Sequence, residues 1–174
     1  KSKRAAKRVK ESVTRFIEGK LHLKVNRDKT VVSYVQGVKY LGYSFYVMKG
    51  KCQLTVHPKS KAKMKSRLKE LTSRSNGWGY AKRKQKLKEY IRGWVGYYHL
   101  ANMKRLLLET DEWLRRRIRM CIWKAWKKAK TKVANLIRCG INKYLAYEWG
   151  NTRKGYWRIA DSPVLKRAID NNKL

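Results

Sequence analysis

The spacing of apolar residues changes near Pro58, from short extended-type segments before it to helical periods after it. In residues 3–19, apolar side chains recur at helical spacing, which predicts a helix that ends just before Gly19. Four segments rich in β-branched and aromatic residues follow, at 21–25, 30–35, 37–48 and 51–57. With the turn residues Asn26–Thr30 and the tight turn Lys49-Gly50-Lys51 between them, these segments predict a small antiparallel sheet.

Beyond Pro58, apolar residues recur every three or four positions, as in amphipathic helices. Three stripes are formed by Met64, Leu68 and Leu71; by Leu87, Ile91, Trp94 (or Val95) and Tyr98; and by Leu114, Ile118, Cys121, Ile122 and Ala125. Thr110 is a favourable N-cap for the third helix, predicted over Asp111–Lys130. A fourth, shorter pattern covers Val133–Trp149 and is broken near Cys139-Gly140.

The last part of the chain predicts short elements. Residues 150–155 form a loop, residues 156–159 a short extended piece, and Ser162 and Pro163 the N-cap and first turn of a final helix. The predicted fold class is therefore α+β. Residues 1–57 combine one helix with a small antiparallel sheet, and residues 58–174 form a helical bundle.

Charge narrows the possible partners. The 174 residues include 46 Lys and Arg against 11 Asp and Glu, a formal net charge of +35. Residues 1–57 carry 14 basic and 3 acidic side chains and residues 58–174 carry 32 and 8, so the charge is spread over folded parts and not confined to a tail. A polyanion relieves the self-repulsion of such a surface, which favours nucleic acid as the partner.

A membrane surface is a competing partner, because basic amphipathic helices also bind anionic lipid. The longest nearly apolar run, Tyr40–Met48, is too short to span a bilayer, and no signal-peptide pattern opens the chain. Three widely spaced cysteines, Cys52, Cys121 and Cys139, indicate reduced thiols. We expect no membrane partner and a cytoplasmic location.

No catalytic or metal-binding constellation emerges from the sequence. Asp111 and Glu112 are adjacent on a predicted helix, where first-turn acids favour the helix dipole more often than they hold metals. The three histidines are isolated from one another and from the cysteines, and "NGWG" lacks the Lys-Ser/Thr of a phosphate loop. The chain is expected to have no catalytic residue, no metal site and no cofactor of its own.

The basic helices are the candidate binding surface. No acidic residue occurs between Trp113 and Ala146, so the predicted outer face of the third helix forgoes the usual i,i+4 ion pairs. This favours phosphate binding over an ordinary solvated face. Trp94, Trp113 and Trp126 are predicted in the core, whereas Trp123 and Trp157 are candidates for stacking on bases.

Further basic blocks occur at Lys59–Lys69, Lys82–Lys88 and Arg153-Lys154. Because no block stands alone, they suit a partner that covers a large area, such as structured RNA, better than DNA read by one helix in a groove. The predicted RNA-binding residues are Lys63, Arg67, Lys82, Arg83, Arg115, Arg116, Arg119, Trp123, Lys127, Arg153 and Lys154.

Four motifs resemble a known family in the order in which they occur: "VNRDKT", "VKYLGYSF", "GWVGYYHLAN" and "RKGYWRIADSPVL". They are similar to the C-terminal half of bacterial group II intron-encoded reverse transcriptase/maturases. The resemblance covers essentially the whole chain, and the last two motifs are the specific ones. It implies that residues 1–57 are the end of the palm and that residues 58–174 are the thumb, or domain X, which binds intron RNA to promote splicing and retrohoming.

The same resemblance implies roles for individual residues. Tyr40, Leu41, Gly42 and Tyr43 correspond to the primer-grip hairpin, which positions the end of a DNA primer. The Tyr-Xaa-Asp-Asp motif and the other metal-binding Asp of the family are absent from the sequence, so the chain is expected to start after them. The full-length protein is expected to be an RNA-dependent DNA polymerase that uses Mg²⁺ and contacts a DNA primer or target.

Two other readings of the sequence stay open beside this one. The chain could be a non-enzymatic basic module that binds RNA or DNA, of the ribosome-associated type. It could also be a helical protein of the membrane surface, for which binding to anionic vesicles would survive moderate salt.

Overall fold

The computed structural model describes residues 2–171 and divides them into two compact units. The N-terminal unit runs up to His57 and includes Leu100–Asn102. The helical unit comprises Pro58–His99 and continues from Met103. Helices and one antiparallel sheet make up the architecture, so the predicted α+β class is confirmed.

The N-terminal unit begins with the predicted helix, α1 (Lys3–Lys20). Ser2 is its N-cap, and the hydroxyl of Ser2 accepts a hydrogen bond from the backbone N–H of Ala5 at 3.3 Å. The helix continues through Gly19, so the predicted end before this glycine is wrong. None of the residues of α1 is buried.

The segment after α1 corrects the sequence prediction. Residues 21–25 and 30–34 form no strand, and Val35–Gly37 form a single 3-10 turn. The intervening turn is present: the side chain of Asn26 accepts the backbone N–H of Lys29 at 3.0 Å. β-branched residues favour extended backbone, but a strand also needs a neighbour with which to exchange backbone hydrogen bonds, and these segments have none among the described residues.

Three strands form the sheet: β1 (Lys39–Tyr40), β2 (Tyr43–Met48) and β3 (Lys51–Val56). They pair antiparallel in the order β1-β2-β3, with Phe45 opposite Leu54. Two-residue turns join them, and both residues of each turn have positive φ, which is typical of the tight turns of hairpins. One of these turns is Lys49-Gly50, so the tight turn predicted there is confirmed.

The segment Leu100–Asn102 belongs to the same unit as the sheet because Asn102 binds two of its strands. The backbone N–H of Asn102 donates to the carbonyl of Leu54 at 2.9 Å, and its side-chain amide donates to the hydroxyl of Tyr46 at 3.1 Å. That hydroxyl in turn donates across the sheet to the side-chain oxygen of Gln53 at 2.6 Å.

Helices alone build the described part of the helical unit. They are α2 (Pro58–Leu71), α3 (Tyr80–Tyr97), α4 (Lys104–Ala125), α5 (Ala129–Arg138), α6 (Lys143–Gly150), α7 (Tyr156–Ile159) and α8 (Pro163–Ala168). The final helix starts as predicted: Ser162 caps it, accepting the backbone N–H of Leu165 at 3.2 Å, and Pro163 occupies the first turn.

Three details of the helical unit differ from prediction. Helix α4 begins at Lys104, so Thr110 lies within the helix and is not its N-cap. The same helix ends at Ala125, which places Lys127 in a linker and Lys130 in α5. Residues 156–159 form helix α7 and not an extended piece. Capping residues mark where a helix can start, but packing of Leu106 against the core extends α4 by more than a turn.

Apolar clusters hold the described part of the helical unit together, and two of them join most of its helices. The first joins α2, α3 and α4 through Met64, Leu68, Leu71, Leu87 and Leu114, with Trp94 and Trp113 packed at its edge. The second joins α4 to the later helices through Trp123, Val133, Leu136, Ile141, Ala146, Ile159, Leu165, Ala168 and Ile169. The predicted core positions of Trp94, Trp113 and Trp126 are confirmed as half-buried packing positions.

Candidate nucleic-acid interface

The predicted outer face of α4 is partly inside the protein. Arg119 is only 6% exposed and Trp123 only 2%, so the prediction that these two side chains lie on the RNA-facing surface is wrong. A helix in contact with two clusters buries more than one stripe, and the sequence period of α4 shows only the first of them.

Arg119 is held by the C-terminal segment. Its Nε–H donates to the carbonyl of Ile169 at 2.9 Å, and its Nη2 donates to the side-chain oxygen of Asn171 at 3.1 Å. Burial lowers the pKa of Arg119 from its ordinary value, and the nearby charge of Arg115 lowers it further. Two nitrogens of Arg119, Nε and Nη2, are engaged with protein, so its role in this structure is to join α4 to the chain after α8.

Trp123 belongs to the second apolar cluster, where its ring lies 5.8 Å from that of Trp126 and beneath the ammonium of Lys132 at 4.9 Å. A ring enclosed in this way presents no face to a nucleobase. Trp157, the other predicted stacking residue, is 39% exposed and stays a candidate.

Arg83 is a further correction, since it is buried on α3. Its Nη2 donates to the carbonyl of Ser73 at 3.2 Å and to the side-chain oxygen of Asn76 at 2.9 Å. Its Nε is buried with no hydrogen-bond partner in the described part of the chain. Arg83 therefore fixes the turn between α2 and α3 and does not face the solvent.

Arg115 and Arg116 are half-buried. Both form ion pairs with acidic residues that lie outside the acid-free stretch between Trp113 and Ala146. Arg115 contacts the carboxylate of Asp111 at 2.7 Å. Arg116 contacts the carboxylate of Asp161 at 3.2 Å and donates twice to the carbonyl of Trp157, at 3.2 and 2.9 Å. The prediction that this face forgoes ion pairs is wrong, because folding brings Asp161 to it from α7–α8.

The other six predicted contacts are exposed, and five of them have no ion-pair partner in residues 2–171: Lys63, Lys82, Lys127, Arg153 and Lys154. Arg67 pairs with Glu70 at 2.7 Å. Lys82 and Lys154 lie over the rings of Trp78 and Trp149, at 5.5 and 4.9 Å. These exposed cations lie on α2, on α3 and in two loops, so they form the part of the predicted interface that can reach a polyanion.

Two cations next to Trp113 are absent from the predicted RNA-binding residues: Arg117, and Lys65 of the basic block Lys59–Lys69. Arg117 donates to the hydroxyl of Thr72 at 2.6 Å and to the carbonyl of Lys69 at 3.1 Å, and burial lowers its pKa. Lys65 lies over the ring of Trp113 at 5.5 Å, and Arg117 lies 5.2 Å from the same ring. The i,i+4 spacing of Lys65 with Lys69, and of Trp113 with Arg117, was the available signal.

In the N-terminal unit, Tyr40–Tyr43 form a hairpin turn, with Leu41 at φ 48° and Gly42 at φ 83°. Tyr40 and Leu41 are exposed. The local geometry is a tight turn at the sheet edge, and the primer-grip role of these four residues stays a prediction.

The described residues contain neither a candidate metal site nor a membrane-spanning helix. No group of three or more His, Cys, Asp or Glu side chains there is arranged to hold a metal ion. Asp111 is engaged with Arg115. Within the described residues, the helices are all too short or too polar to cross a lipid bilayer.

Comparison with known proteins adds one finding. A search of curated proteins gave no match. Residues 61–140 match the family described as the group II intron, maturase-specific domain. The matched region contains α3, α4 and α5 entire and α2 from Lys61 onward. It therefore includes the first apolar cluster and most of the exposed cations described above. Over residues 61–140 the resemblance seen in the sequence is thus confirmed, since this part of the chain matches the maturase-specific domain of group II introns.

Proposed function

We propose that this chain binds group II intron RNA through the exposed cations of its helical unit and thereby promotes splicing of the intron. The observation that supports this most is the maturase-specific domain at residues 61–140, because it ties the chain to group II intron maturase function. The same residues bear Lys63, Arg67, Lys82 and Lys127, which are exposed to solvent.

The distribution of charge fits a structured RNA. Exposed cations on several helices and loops contact phosphates over a wide area, and each neutralised phosphate releases counterions and adds to the salt dependence of binding. Such contacts position the protein without reading bases. Affinity for the intron over other RNA then comes from matching the shape of a folded RNA.

The activity of a longer parent protein is a further part of this proposal. A polymerase that copies RNA into DNA, and so supports retrohoming in the bacterial cytoplasm, would use Mg²⁺ for phosphoryl transfer. The described residues offer no cluster that fits this ion, so no step of that reaction is assigned to them. The hairpin Tyr40–Tyr43 would contact the end of a DNA primer.

The test is binding of the chain to a structured group II intron RNA and to an unrelated structured RNA of equal length, across a salt series. We expect a steep loss of affinity with salt for both RNAs, and tighter binding of the intron at physiological salt. Equal binding at every salt concentration would contradict the proposal and favour a general basic binding module. Binding to anionic vesicles that persists at moderate salt would favour the membrane-surface alternative.

Single substitutions identify the contacts. Replacing Lys63 by Ala should lower the slope of log affinity against log salt by roughly one while leaving the preference for the intron unchanged. A loss of binding with an unchanged slope would show that Lys63 does not act as a phosphate contact.

A further inference from the structure

An open groove on the helical unit combines tryptophan rings with cations. It encloses about 580 Å³ and is lined by Ala62, Lys65, Ser66, Lys69, Trp113, Arg117 and Trp157, which we call the tryptophan groove. These residues come from α2, α4 and α7. No carboxylate is among the lining residues, although acids line the neighbouring depression on the other side of Trp157.

The α2 wall supplies the cations. Ala62 and Ser66 are four residues apart, as are Lys65 and Lys69, and the two pairs are offset by three residues. All four therefore lie on one face of α2, away from the buried stripe of Met64, Leu68 and Leu71. Lys65 and Lys69 are exposed and have no ion-pair partner in residues 2–171. Their ammonium groups are therefore available to an anion at the rim of the groove.

The α4 wall is fixed by hydrogen bonds. Arg117 donates to Thr72 and to the carbonyl of Lys69, so its guanidinium bridges α2 and α4 beneath the groove. The ring of Trp113 is close to both Lys65 and Arg117, at 5.5 and 5.2 Å. These contacts hold Trp113 and Arg117, the α4 wall of the groove, in place before any ligand binds.

Trp157 forms the opposite wall and is held by Arg116. The guanidinium of Arg116 lies 4.0 Å from the centre of the Trp157 ring and also donates to the backbone carbonyl of Trp157. Arg116 lines the neighbouring depression and not the groove, whereas Trp157 lines both. Arg116 therefore covers one face of the Trp157 ring without lining the groove, and the stacking proposed below uses the opposite face.

We propose that the tryptophan groove binds one unpaired nucleotide, with its base stacked on Trp157 and its phosphate between Lys65 and Lys69. Aromatic platforms beside cations are the usual way in which proteins hold unstacked bases, and a volume near 580 Å³ lies within the range of about 300–1,000 Å³ typical of ligand sites. This inference rests on the proposed RNA-binding function, and it names where an unpaired segment of the RNA binds.

The test uses the 174-residue chain with the single strands rU8 and dT8 and with a fully paired, blunt-ended RNA duplex, at one salt concentration. Trp157→Ala should weaken binding of rU8 about 5- to 160-fold, the range expected for loss of one stacked base, and change duplex binding less than about twofold. Trp157→Phe, which keeps a stacking face, should retain most of the affinity. Tyr144→Ala is the matched control, because Tyr144 is 80% exposed on α6 and lies outside the groove.

Each outcome decides the matter. An equal loss for single strand and duplex would overturn the nucleotide site and assign Trp157 a structural role. Unchanged binding of rU8 by Trp157→Ala would also overturn the nucleotide site. Tighter binding of dT8 than of rU8 would overturn RNA as the source of the nucleotide. If Trp157→Ala leaves binding of rU8 unchanged and the chain still prefers the intron RNA, the nucleotide site in the groove is rejected and the proposed function stands.

A second measurement does not depend on a folded variant. Irradiation of the unsubstituted chain with a 5-bromouridine version of rU8 should cross-link Trp157 or a residue lining the groove, mapped by mass spectrometry of the peptides. Cross-links confined to other surfaces would overturn the proposal.

Lys69→Gln should in addition lower the salt slope for rU8 by roughly 0.7, the value for one phosphate contact on a single strand.

Discussion

The N-terminal unit and the helical unit have similar densities of positive charge but bury their apolar residues very differently. Of the buried apolar residues described, Val56 and Ala101 lie in the N-terminal unit, and the others lie in the helical unit. Helices α1 and α4 are both amphipathic in sequence, yet α1 buries no residue whereas α4 contributes to both apolar clusters. An amphipathic pattern thus predicts a helix, but burial needs a second apolar surface to pack against.

The largest expected effect contrasts apolar positions of the two units. Leu68→Ala removes a side chain that is 1% exposed and leaves a cavity in the first cluster, so it should lower the free energy of unfolding by about 2–5 kcal/mol. Val13→Ala, at a position 50% exposed on α1, should change it by less than about 0.5 kcal/mol. Urea unfolding of the 174-residue chain followed by circular dichroism measures both. Equal losses would show that α1 is as well packed as α2.

The reactivity of the cysteines tests the same difference in burial between the two units. Cys52 is exposed on β3, whereas Cys121 is buried on α4, and burial raises the pKa of the Cys121 thiol. Because the thiolate is the reactive form, Cys121 should react with a maleimide at pH 7.5 only through opening of the helical unit, about 100-fold or more slowly than Cys52. Pulse labelling with peptide mass spectrometry gives the two rates. Comparable rates would mean that the α4 core opens readily.

A third prediction separates structural from RNA-facing cations. Arg119→Ala removes hydrogen bonds from a charged donor to Ile169 and Asn171 and should cost about 1.5–3 kcal/mol of stability, with no change in the salt slope of RNA binding. Lys127→Ala should do the opposite, lowering the slope by about one and leaving stability unchanged. Thermal unfolding of both variants measures the change in stability, and RNA titration across a salt series measures the change in slope. A lower slope for a fully stable Arg119→Ala would place Arg119 at the RNA.

The smallest effect concerns pH. Lys166, whose ammonium lies 2.7 Å from the carboxylate of Asp161, lowers the pKa of that carboxyl, and Arg116 lowers it further. Stability from a depressed carboxyl pKa is fully present above the unfolded value of about 3.9 and is lost as pH falls through the folded value.

The thermal midpoint should therefore fall more between pH 6 and pH 3 for the unsubstituted chain than for Asp161→Asn. The corresponding difference in the free energy of unfolding should be less than about 1 kcal/mol because the ion pair is largely exposed. Parallel pH profiles for the two proteins would show that the pair contributes nothing to stability.

The sequence predicted those features that depend on neighbours within about four residues. The helical stripes from Met64 to Leu71 and from Leu87 to Tyr98, the cap formed by Ser162 and the turn at Lys49-Gly50 all agree with the structure, because periodicity, capping and turn conformation are local. The same local rules misplaced Thr110 as an N-cap and predicted strands at 21–25 and 30–35.

The sequence by itself determined the α+β class, the helices after Pro58 and a positive charge that favours a polyanionic partner. Only the tertiary structure decided which cations remain at the surface. Arg83, Arg119 and Trp123 are enclosed by residues as many as 52 positions away in sequence, and Asp161 reaches Arg116 in the same way. The tryptophan groove likewise needs α2, α4 and α7 to meet. Burial depends on which elements pack together, and that is set by the whole unit rather than by any local pattern.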